Sequence, residues 1–470
     1  MDQTLGIIIG NRGFFPDALA KEGRERILST LEKEGFKTIC LTPEDTKFGT
    51  VETYEDAQKC SKLFREKGEE ISGIIVTLPN FGDEKSIAYT LRLSELKVPV
   101  LVHAFSDHPD KMDVQNRRDG FCGKLSVCNN LRQFDIPFSL TTHHTEDPES
   151  PAFSQDLAWF AGVCRVTGGF RHLKVGAVGM RPNNFNTVRY SEKILENYDI
   201  STEVVDLSEI IGRANRISTN DSRVKAKIKE IKEYIDTQGI PEEALQKMAQ
   251  LKITLEEWIQ ETGVSLLAFQ CWSSIEENFG VMPCTVMSMF SENFIPAACE
   301  VDVTGALSMY ALQLASQKPS ALADWNNNFG DDPEKAVLFH CSNFPKSFLE
   351  GARMGYGDII SSSISKEQTY GTCYGTIPSG PVTLARLATE DTEGTIIAYL
   401  AEGEITNDRI QTFGGVGVVK IPGLENLLSF MCEEGFEHHV AFNLSQSGKI
   451  LFEAFNKYLR IETCWPGVCC

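Results

Sequence analysis

The chain has 470 residues, of which 42% are hydrophobic and 23% charged, and its formal net charge at pH 7 is −20. A chain of this length exceeds what a single hydrophobic core serves, so two or three domains are expected. The acidic balance argues against a nucleic-acid partner and against an anionic membrane surface, because both require a basic protein face.

Membrane insertion and secretion are not expected from the sequence. No apolar segment approaches the ~20 residues that a membrane-spanning helix needs. The N-terminal stretch MDQTLGIIIGNRG lacks a basic start and has too short an apolar run for a signal peptide. We therefore expect a cytoplasmic protein whose first residues form a β-strand.

The N-terminal region alternates strand and helix patterns. Apolar strands are predicted at LGIIIG, KTICLT, ISGIIVTLP and VPVLVHAF, and amphipathic helices at FPDALAKEGRERILSTLEKEG, YEDAQKCSKLFREKG and SIAYTLRLSEL. This order predicts a parallel sheet with helices on both faces, in a domain at 1–165. Ligands of such sheets usually bind at the carboxyl ends of the strands.

A second series of strands and helices follows, and the pattern then changes. LKVGAVGM, STEVV and VSLLAFQCW are predicted strands that alternate with helices, which indicates a second α/β domain at 166–318. The segments TCYGTI, GTIIAYLAEGEI and GGVGVVKIP are short, β-rich and separated by turns. They predict an antiparallel or barrel-like domain at 319–470. The expected fold class is α/β, with two parallel-sheet domains followed by a β-rich C-terminal domain.

One carboxylate lies directly before a predicted helix. The helix is indicated by Leu307, Tyr310, Ala311 and Leu314 at helical spacing, with Thr304 as the expected N-cap. Glu300 therefore belongs to a strand end or loop of the second α/β domain, where such folds present functional groups.

A second carboxylate and a histidine are related by a predicted hairpin. SALADWNN and KAVLFHC read as strands around the turn FGDDPE, which places Asp324 opposite Phe339 or His340. A shift of one residue would move the side chains to opposite faces. Near the C-terminus, EGFEHHVAFN offers His438 and His439, and strand alternation lets at most one of them join a shared site.

These side chains form a candidate metal site with nitrogen and oxygen donors. Such donors suit Mn²⁺, Mg²⁺, Co²⁺ or Fe²⁺, and the thiolates of a structural zinc site are lacking. By spacing alone, a set of unrelated polar loop residues remains the alternative.

The same residues carry a family resemblance. Glu300-Val-Asp-Val-Thr-Gly-Ala, Asp324-Trp-Asn-Asn-Asn, Phe339-His340-Cys-Ser-Asn-Phe-Pro and His438-His439 resemble the L-fucose isomerase/L-arabinose isomerase superfamily. Arg12 and DKMDVQNRRDGFCGKLSVCNNL (110–131) resemble its fucose-isomerase-related branch, which includes sulfoquinovose isomerases. The resemblance implies two Rossmann-like domains, a β-rich C-terminal domain and a divalent ion, usually Mn²⁺, with Co²⁺ or Mg²⁺ as alternatives. It also implies a homo-oligomer, a trimer or hexamer, with sites at subunit interfaces.

The resemblance also assigns roles to residues. Glu300 and Asp324 match the two acidic ligands and His439 matches the C-terminal histidine ligand. His340 matches a fourth ligand of the arabinose isomerases. An aspartate at position 324 is the fucose-type choice, because the arabinose enzymes carry glutamate there.

The implied activity is the interconversion of an aldose and a ketose through an enediolate. The reaction moves a proton between C1 and C2 and another between O1 and O2. A divalent ion can polarise the carbonyl, and two carboxylates can remove and return the proton. Glu300 and Asp324 are therefore the expected ligands and the expected acid–base pair. A hydride shift between C1 and C2 remains the alternative to proton transfer.

Four further residues are candidates for substrate binding. Arg12 follows the first strand, Gln270 and Trp272 end a later one, and His103 could reach a neighbouring subunit's site. The expected substrate is a neutral aldose of the L-fucose, D-arabinose or L-arabinose type.

Two alternatives remain. One is a sulfonated sugar, sulfoquinovose, whose anionic group would pair with Arg12 or with Arg117 and Arg118. The other is a non-catalytic two-lobed sugar-binding protein, which would have the two α/β domains but no need for the metal ligands.

Overall fold

The computed structural model describes residues 3–467. The chain forms two compact units. Unit 1 contains the residues up to Gly169 together with Glu453–Arg460, and unit 2 contains Phe170–Phe452 together with the residues from Ile461. The three-domain division with boundaries at 165 and 318 stays a prediction. Among residues 3–467, no helix combines the length and the apolar character needed to cross a membrane.

Unit 1 is built on a parallel five-stranded sheet. Its strands are β1 (Thr4–Ile9), β2 (Lys37–Ile39), β3 (Ile71–Leu78), β4 (Val100–Ala104) and β5 (Ser139–Leu140), in the order β2-β1-β3-β4-β5. Its helices are α1 (Asp17–Lys33), α2 (Tyr54–Glu66), α3 (Glu84–Ser94), α4 (Gly120–Gln133) and α5 (Pro151–Gly169). Consecutive residues of one strand enter different cores, since Ile7 packs in one apolar cluster and Ile8 in the other. Burial on both faces explains why the central strands β1, β3 and β4 are largely apolar.

Unit 2 begins with a second parallel sheet. Its strands are β6 (Leu173–Val178), β7 (Ile200–Val205), β8 (Leu266–Phe269) and β9 (Ala297–Cys299), in the order β7-β6-β8-β9. The helices of this part are α6 (Glu192–Asn197), α7 (Leu207–Arg216), α8 (Ser222–Tyr234), α9 (Glu242–Thr262), α10 (Ser274–Asn278), α11 (Cys284–Glu292) and α12 (Val303–Ser316). Together with the sheet of unit 1, this sheet confirms the expected pair of parallel-sheet regions.

The rest of unit 2 is a mixed nine-stranded sheet. Its strands are β10 (Ala321–Asn328), β11 (Lys335–His340), β12 (Glu350–Tyr356), β13 (Tyr370–Thr376), β14 (Gly380–Glu390), β15 (Thr395–Ile405), β16 (Gly415–Lys420), β17 (His439–Asn443) and β18 (Glu462–Cys464). Helices α13 (Leu424–Glu433) and α14 (Gly448–Glu453) complete the set. The strand order is β12-β13-β16-β11-β10-β17-β14-β15-β18, and β15 also pairs with β16. That extra pairing closes β16, β11, β10, β17, β14 and β15 into a ring, so the β-rich, barrel-like prediction is confirmed.

Helix α12 connects the two sheets of unit 2. It packs against β8 and β9 of the parallel sheet and against β14 and β17 of the mixed sheet. Most of its side chains are therefore buried, which explains its apolar sequence VTGALSMYALQLAS. The expectation that Thr304 caps this helix is wrong. Asp302 is the N-cap, and its carboxylate accepts a hydrogen bond from the backbone N–H of Gly305 at 2.8 Å.

Candidate metal centre

Glu300 lies at the carboxyl end of the parallel sheet of unit 2. Strand β9 ends at Cys299, and Glu300 and Val301 both adopt left-handed backbone conformations, with φ of 63° and 57°. Non-glycine residues in this conformation are strained, and such strain is concentrated at functional sites. The Glu300 side chain is 8% exposed. Its Oε1 accepts a hydrogen bond of 3.1 Å from Trp272 Nε1, so the carboxylate is held in one orientation.

Asp324 and His439 meet on the mixed sheet. Strand β10 lies between β11 and β17, and Asp324 is directly opposite His439 in the antiparallel register. Oδ1 of Asp324 is 3.4 Å from Nε2 of His439. The same Nε2 is 3.2 Å from Oε2 of Glu300. One imidazole nitrogen therefore faces two carboxylates that come from different sheets.

His340 joins the same group. The hairpin register pairs Asp324 with Phe339, one of the two predicted partners. Strict alternation would turn His340 to the other face, but β11 ends at this residue. Ligand atoms of Glu300, His340 and His439 all lie within 4.8 Å of one another. His340 is therefore grouped with two of the other predicted ligands, and Asp324 approaches the group through Nε2 of His439.

His438 also approaches the site. Its Nε2 is 3.6 Å from Oδ1 of Asp324, and ligand atoms of Asp324, His438 and His439 lie within 4.8 Å of one another. The alternation argument, by which only one of the two histidines should face the site, assumed that both lie on a strand. Strand β17 begins at His439, so His438 is free of that constraint.

Burial and charge together set the protonation of the site. Burial alone would raise the pKa of Glu300, but His439 and His340 outweigh it and hold that pKa below its usual value. Burial lowers the pKa of His439, whereas Asp302 and Glu300 raise it, to about 10. The acidic side chains therefore favour positive charge at this point, and a divalent ion would bind in competition with the protons of the histidines.

The donor set fits a divalent ion. Glu300 Oε2 and His439 Nε2 are both buried and have no hydrogen-bond partner among residues 3–467, although they face each other. Buried polar atoms without partners are costly, and ligation of a cation would satisfy both. Carboxylate and imidazole donors suit Mn²⁺, Co²⁺ or Mg²⁺. Glu300, Asp324, His439 and His340 are the residues that would hold the ion, and its identity stays a prediction.

Gln270 and Trp272 have defined structural contacts. Oε1 of Gln270 accepts a hydrogen bond of 2.9 Å from the backbone N–H of Met180, which holds the start of the loop after β6. Phe185 of that loop lies 5.3 Å from the ring of Trp272 and 5.7 Å from the ring of His438, centroid to centroid. The loop therefore places an aromatic side chain, Phe185, beside the predicted metal ligands, which sequence patterns did not indicate.

The other predicted binding residues lie in unit 1. His103 is fully buried, and its ring nitrogens contact Thr77 Oγ1 and the Glu146 carbonyl, each at 2.9 Å. Arg12 forms an ion pair with Glu84. Their roles toward a sugar stay predictions.

The two arginines suggested for a sulfonate are also paired. Arg117 lies 2.6 Å from Asp119, and Arg118 lies 3.3 Å from Glu22. Each arginine of unit 1 that was considered for an anionic substrate therefore has a carboxylate beside it.

Comparison with known proteins gives matches to both ends of the chain. Residues 6–171 match the family model described as fucose/sulfoquinovose isomerase, N-terminal domain. Residues 338–465 match the model described as L-fucose isomerase, C-terminal domain.

Curated relatives cover much of the chain at low identity. A sulfoquinovose isomerase of Priestia aryabhattai is 24% identical over 277 residues, which is 58% of this chain and 60% of that protein. A sulfoquinovose isomerase of Alkalicoccus urumqiensis is 24% identical over 349 residues, which is 73% of this chain and 75% of that protein. With the matched domain models at both ends, these relatives show that the chain belongs to the fucose-isomerase-related family.

Proposed function

We propose that this protein is a cytoplasmic, divalent-metal-dependent aldose–ketose isomerase. The observation that carries the proposal is the convergence of Glu300 and Asp324 on Nε2 of His439, at 3.2 Å and 3.4 Å. The three residues come from different elements of unit 2, so the fold has to be complete before they meet. Such convergence of unpartnered donor atoms is typical of a ligand site rather than of a structural ion pair.

The side chains can perform the proton transfers of the reaction. A bound divalent ion supplies Lewis-acid polarisation of a carbonyl and stabilises developing negative charge. Glu300 has one oxygen fixed by Trp272, and its other oxygen faces the site. We assign it the removal and return of the carbon-bound proton. The side chain of Asp324 is 26% exposed. We assign it the proton transfer between O1 and O2 of the sugar, because contact with water interferes less with that step.

The substrate we favour is sulfoquinovose. The matched relatives carry that name, and the N-terminal model names both fucose and sulfoquinovose. This reverses the order that the sequence favoured, in which a neutral aldose came first. A neutral aldose of the fucose type is the second candidate, because the C-terminal model is named for L-fucose isomerase.

Arg181 is our candidate partner for the sulfonate. It lies on the loop after β6, whose Phe185 packs against Trp272 and His438. The hydrogen bonds of its guanidinium go to the backbone carbonyls of Pro182 and Asn183, at 3.2 Å and 3.3 Å. Unlike the three arginines of unit 1, it donates to neutral acceptors, so an anion would strengthen its interactions.

We further propose a symmetric homo-oligomer, a trimer or hexamer, in which unit 1 of one subunit completes the pocket of another. The support is the family to which the chain belongs. Light scattering and dilution assays test this directly: full specific activity in a monomer would exclude it.

The test of function is a sugar panel with and without metal. The protein is stripped with a chelator, re-loaded with Mn²⁺, and assayed with sulfoquinovose, L-fucose, D-arabinose and L-arabinose. Conversion that disappears on chelation and returns with Mn²⁺ supports the proposal. A protein that binds a sugar equally well after chelation and converts none would instead be a non-catalytic sugar-binding protein.

A further inference from the structure

A fully buried arginine lies behind the metal centre. Arg386 on β14 has no exposed surface. Its NH1 is 2.6 Å from Oδ2 of Asp302 and its NH2 is 3.0 Å from Oδ1, which makes a two-pronged ion pair. Its Nε donates to Glu437 Oε2 at 3.0 Å, and NH2 also donates to Thr304 Oγ1 at 2.9 Å. The guanidinium thus has partners on two separate segments, Asp302 and Thr304 at the start of α12 and Glu437 just before β17.

Asp302 connects this arginine to a predicted metal ligand. Its Oδ2 lies 2.8 Å from Nδ1 of His439. An ionised carboxylate only accepts hydrogen bonds, so Nδ1 must carry the proton of this contact. Loss of the second proton from Nε2 then leaves a neutral ring whose Nε2 lone pair is available to an ion between Glu300 and Asp324. Asp302 itself cannot swing away, because Arg386 and the start of α12 hold both of its oxygens.

The same arginine fixes the two chain segments that carry ligands. Glu437 precedes His439 by two residues, and Asp302 follows Glu300 by two. Arg386 therefore ties the residues just before β17 to those just after β9. These are the two segments whose Glu300 and His439 approach each other to 3.2 Å. A buried ion pair is often no more stabilising than an apolar replacement of the same size. Stability alone is thus a weak reason for this network, whereas outer partners of metal ligands are known to orient them.

We propose that Arg386 is a positioning residue of the metal centre, acting through Asp302 to fix the tautomer and orientation of His439. This rests on the proposed function only in that it requires a divalent ion at the site. Arg386 and Asp302 would contact neither the ion nor the sugar. Glu437 contributes by holding the other edge of the guanidinium.

The experiment is a Mn²⁺ titration of the resting protein, without sugar, followed by electron paramagnetic resonance of free Mn²⁺. Asp302→Asn keeps the shape of the side chain and leaves Arg386 paired with Glu437. Arg386→Lys keeps the positive charge but loses the paired N–H donors that form the two-pronged ion pair with Asp302. Each is expected to raise the Mn²⁺ dissociation constant about 10- to 100-fold, as outer partners of ligands commonly do. His439→Gln serves as the reference, because it measures how far Mn²⁺ affinity falls when the predicted ligand itself is removed.

A matched control separates positioning from general damage. Lys252 is another buried cation of unit 2, 5% exposed, and lies 2.6 Å from Glu256. Lys252→Met is expected to bind Mn²⁺ like the parent protein, even if it melts at a lower temperature. Pulsed resonance at saturating Mn²⁺ adds a second readout: Asp302→Asn should weaken the same histidine nitrogen coupling that His439→Gln abolishes.

Several results would overturn the inference. Mn²⁺ affinity within threefold of the parent for both Asp302→Asn and Arg386→Lys, with an unchanged nitrogen coupling, would leave Arg386 a purely structural residue. An equal loss of Mn²⁺ affinity in Lys252→Met would show that the effect is general damage to the fold. A parent protein that binds no divalent ion would also contradict the inference. If the affinities change as expected but no sugar is isomerised, the inference stands and the proposed function fails.

Discussion

Asp324 and His439 face each other across neighbouring antiparallel strands, with 3.4 Å between Oδ1 and Nε2. Opposed residues of a sheet keep their side chains on one face. The mixed sheet therefore sets this half of the site through its register, and a slip of one residue would separate the pair. Glu300, delivered by the parallel sheet, supplies the other half.

Removing either carboxylate is expected to abolish isomerisation. Glu300→Gln and Asp324→Asn preserve side-chain volume, but each removes a proposed acid–base group and weakens a predicted ligand. We expect turnover to fall by at least ~10³-fold, with an unchanged circular dichroism spectrum. Near-normal turnover in either variant would remove that residue from the mechanism.

The two adjacent histidines should differ in their importance for the ion. His439→Gln removes a buried, predicted ligand and is expected to weaken Mn²⁺ binding more than ~10-fold. His438 is 41% exposed and packs on Phe185, so His438→Gln should weaken binding less than ~3-fold, because water can replace it. Calorimetric titration of both variants decides this, and the reverse order would move the ligand role to His438.

The sulfonate assignment predicts a selective defect. Arg181→Gln is expected to lower kcat/KM for sulfoquinovose about 10- to 100-fold, because a charge-assisted hydrogen bond contributes about 1.5–3 kcal/mol. Conversion of a neutral aldose, where measurable, should be unchanged. Arg189→Gln is the matched control, since Arg189 lies nearby and its Nε also donates to a backbone carbonyl, that of Asn186. An equal effect of both substitutions would refute the assignment.

A buried glutamate outside the site should reduce stability at neutral pH. Glu276 is fully buried, and neither carboxylate oxygen has a hydrogen-bond partner among residues 3–467. Burial raises the pKa of Glu276 to about 8. Because this folded-state pKa lies above the unfolded one, the stability present below about pH 4.5 is lost progressively as the pH rises toward about 8.

Glu276→Gln should remove that loss. At pH 7 the variant is expected to gain up to about 3 kcal/mol in the free energy of unfolding, and little at pH 4. Urea unfolding at both pH values measures the difference. Glu277→Gln, at an exposed neighbour, is the control and should change little. A destabilised Glu276→Gln at pH 7 would show that the carboxyl group has a favourable partner.

The sequence predicted some parts of the site much better than others. The hairpin of β10 and β11 could be registered from its turn, which correctly placed Asp324 opposite Phe339 or His340. The approach of His438 to the site could not be predicted. The alternation of side chains applies only inside a strand, and β17 starts one residue later, at His439.

Arg386 and Asp302 were missed for physical reasons. An arginine in LARLATE resembles an exposed strand residue, since arginines are rarely fully buried. Its burial follows from the packing of α12 against β14, which no local pattern reveals. Asp302 lay within the quoted EVDVTG string, but its contact with His439 joins residues 137 positions apart.

The most direct test of the central claim follows the carbon-bound proton. Sulfoquinovose is incubated with the Mn²⁺-loaded protein in D₂O and followed by NMR. Our account predicts that the ketose forms and that deuterium enters C1 of the ketose and C2 of the recovered aldose, both processes stopping on chelation and in Glu300→Gln. Ketose formation without deuterium would contradict the carboxylate-mediated proton transfer, and no conversion of sulfoquinovose or of any neutral aldose would contradict the proposed activity.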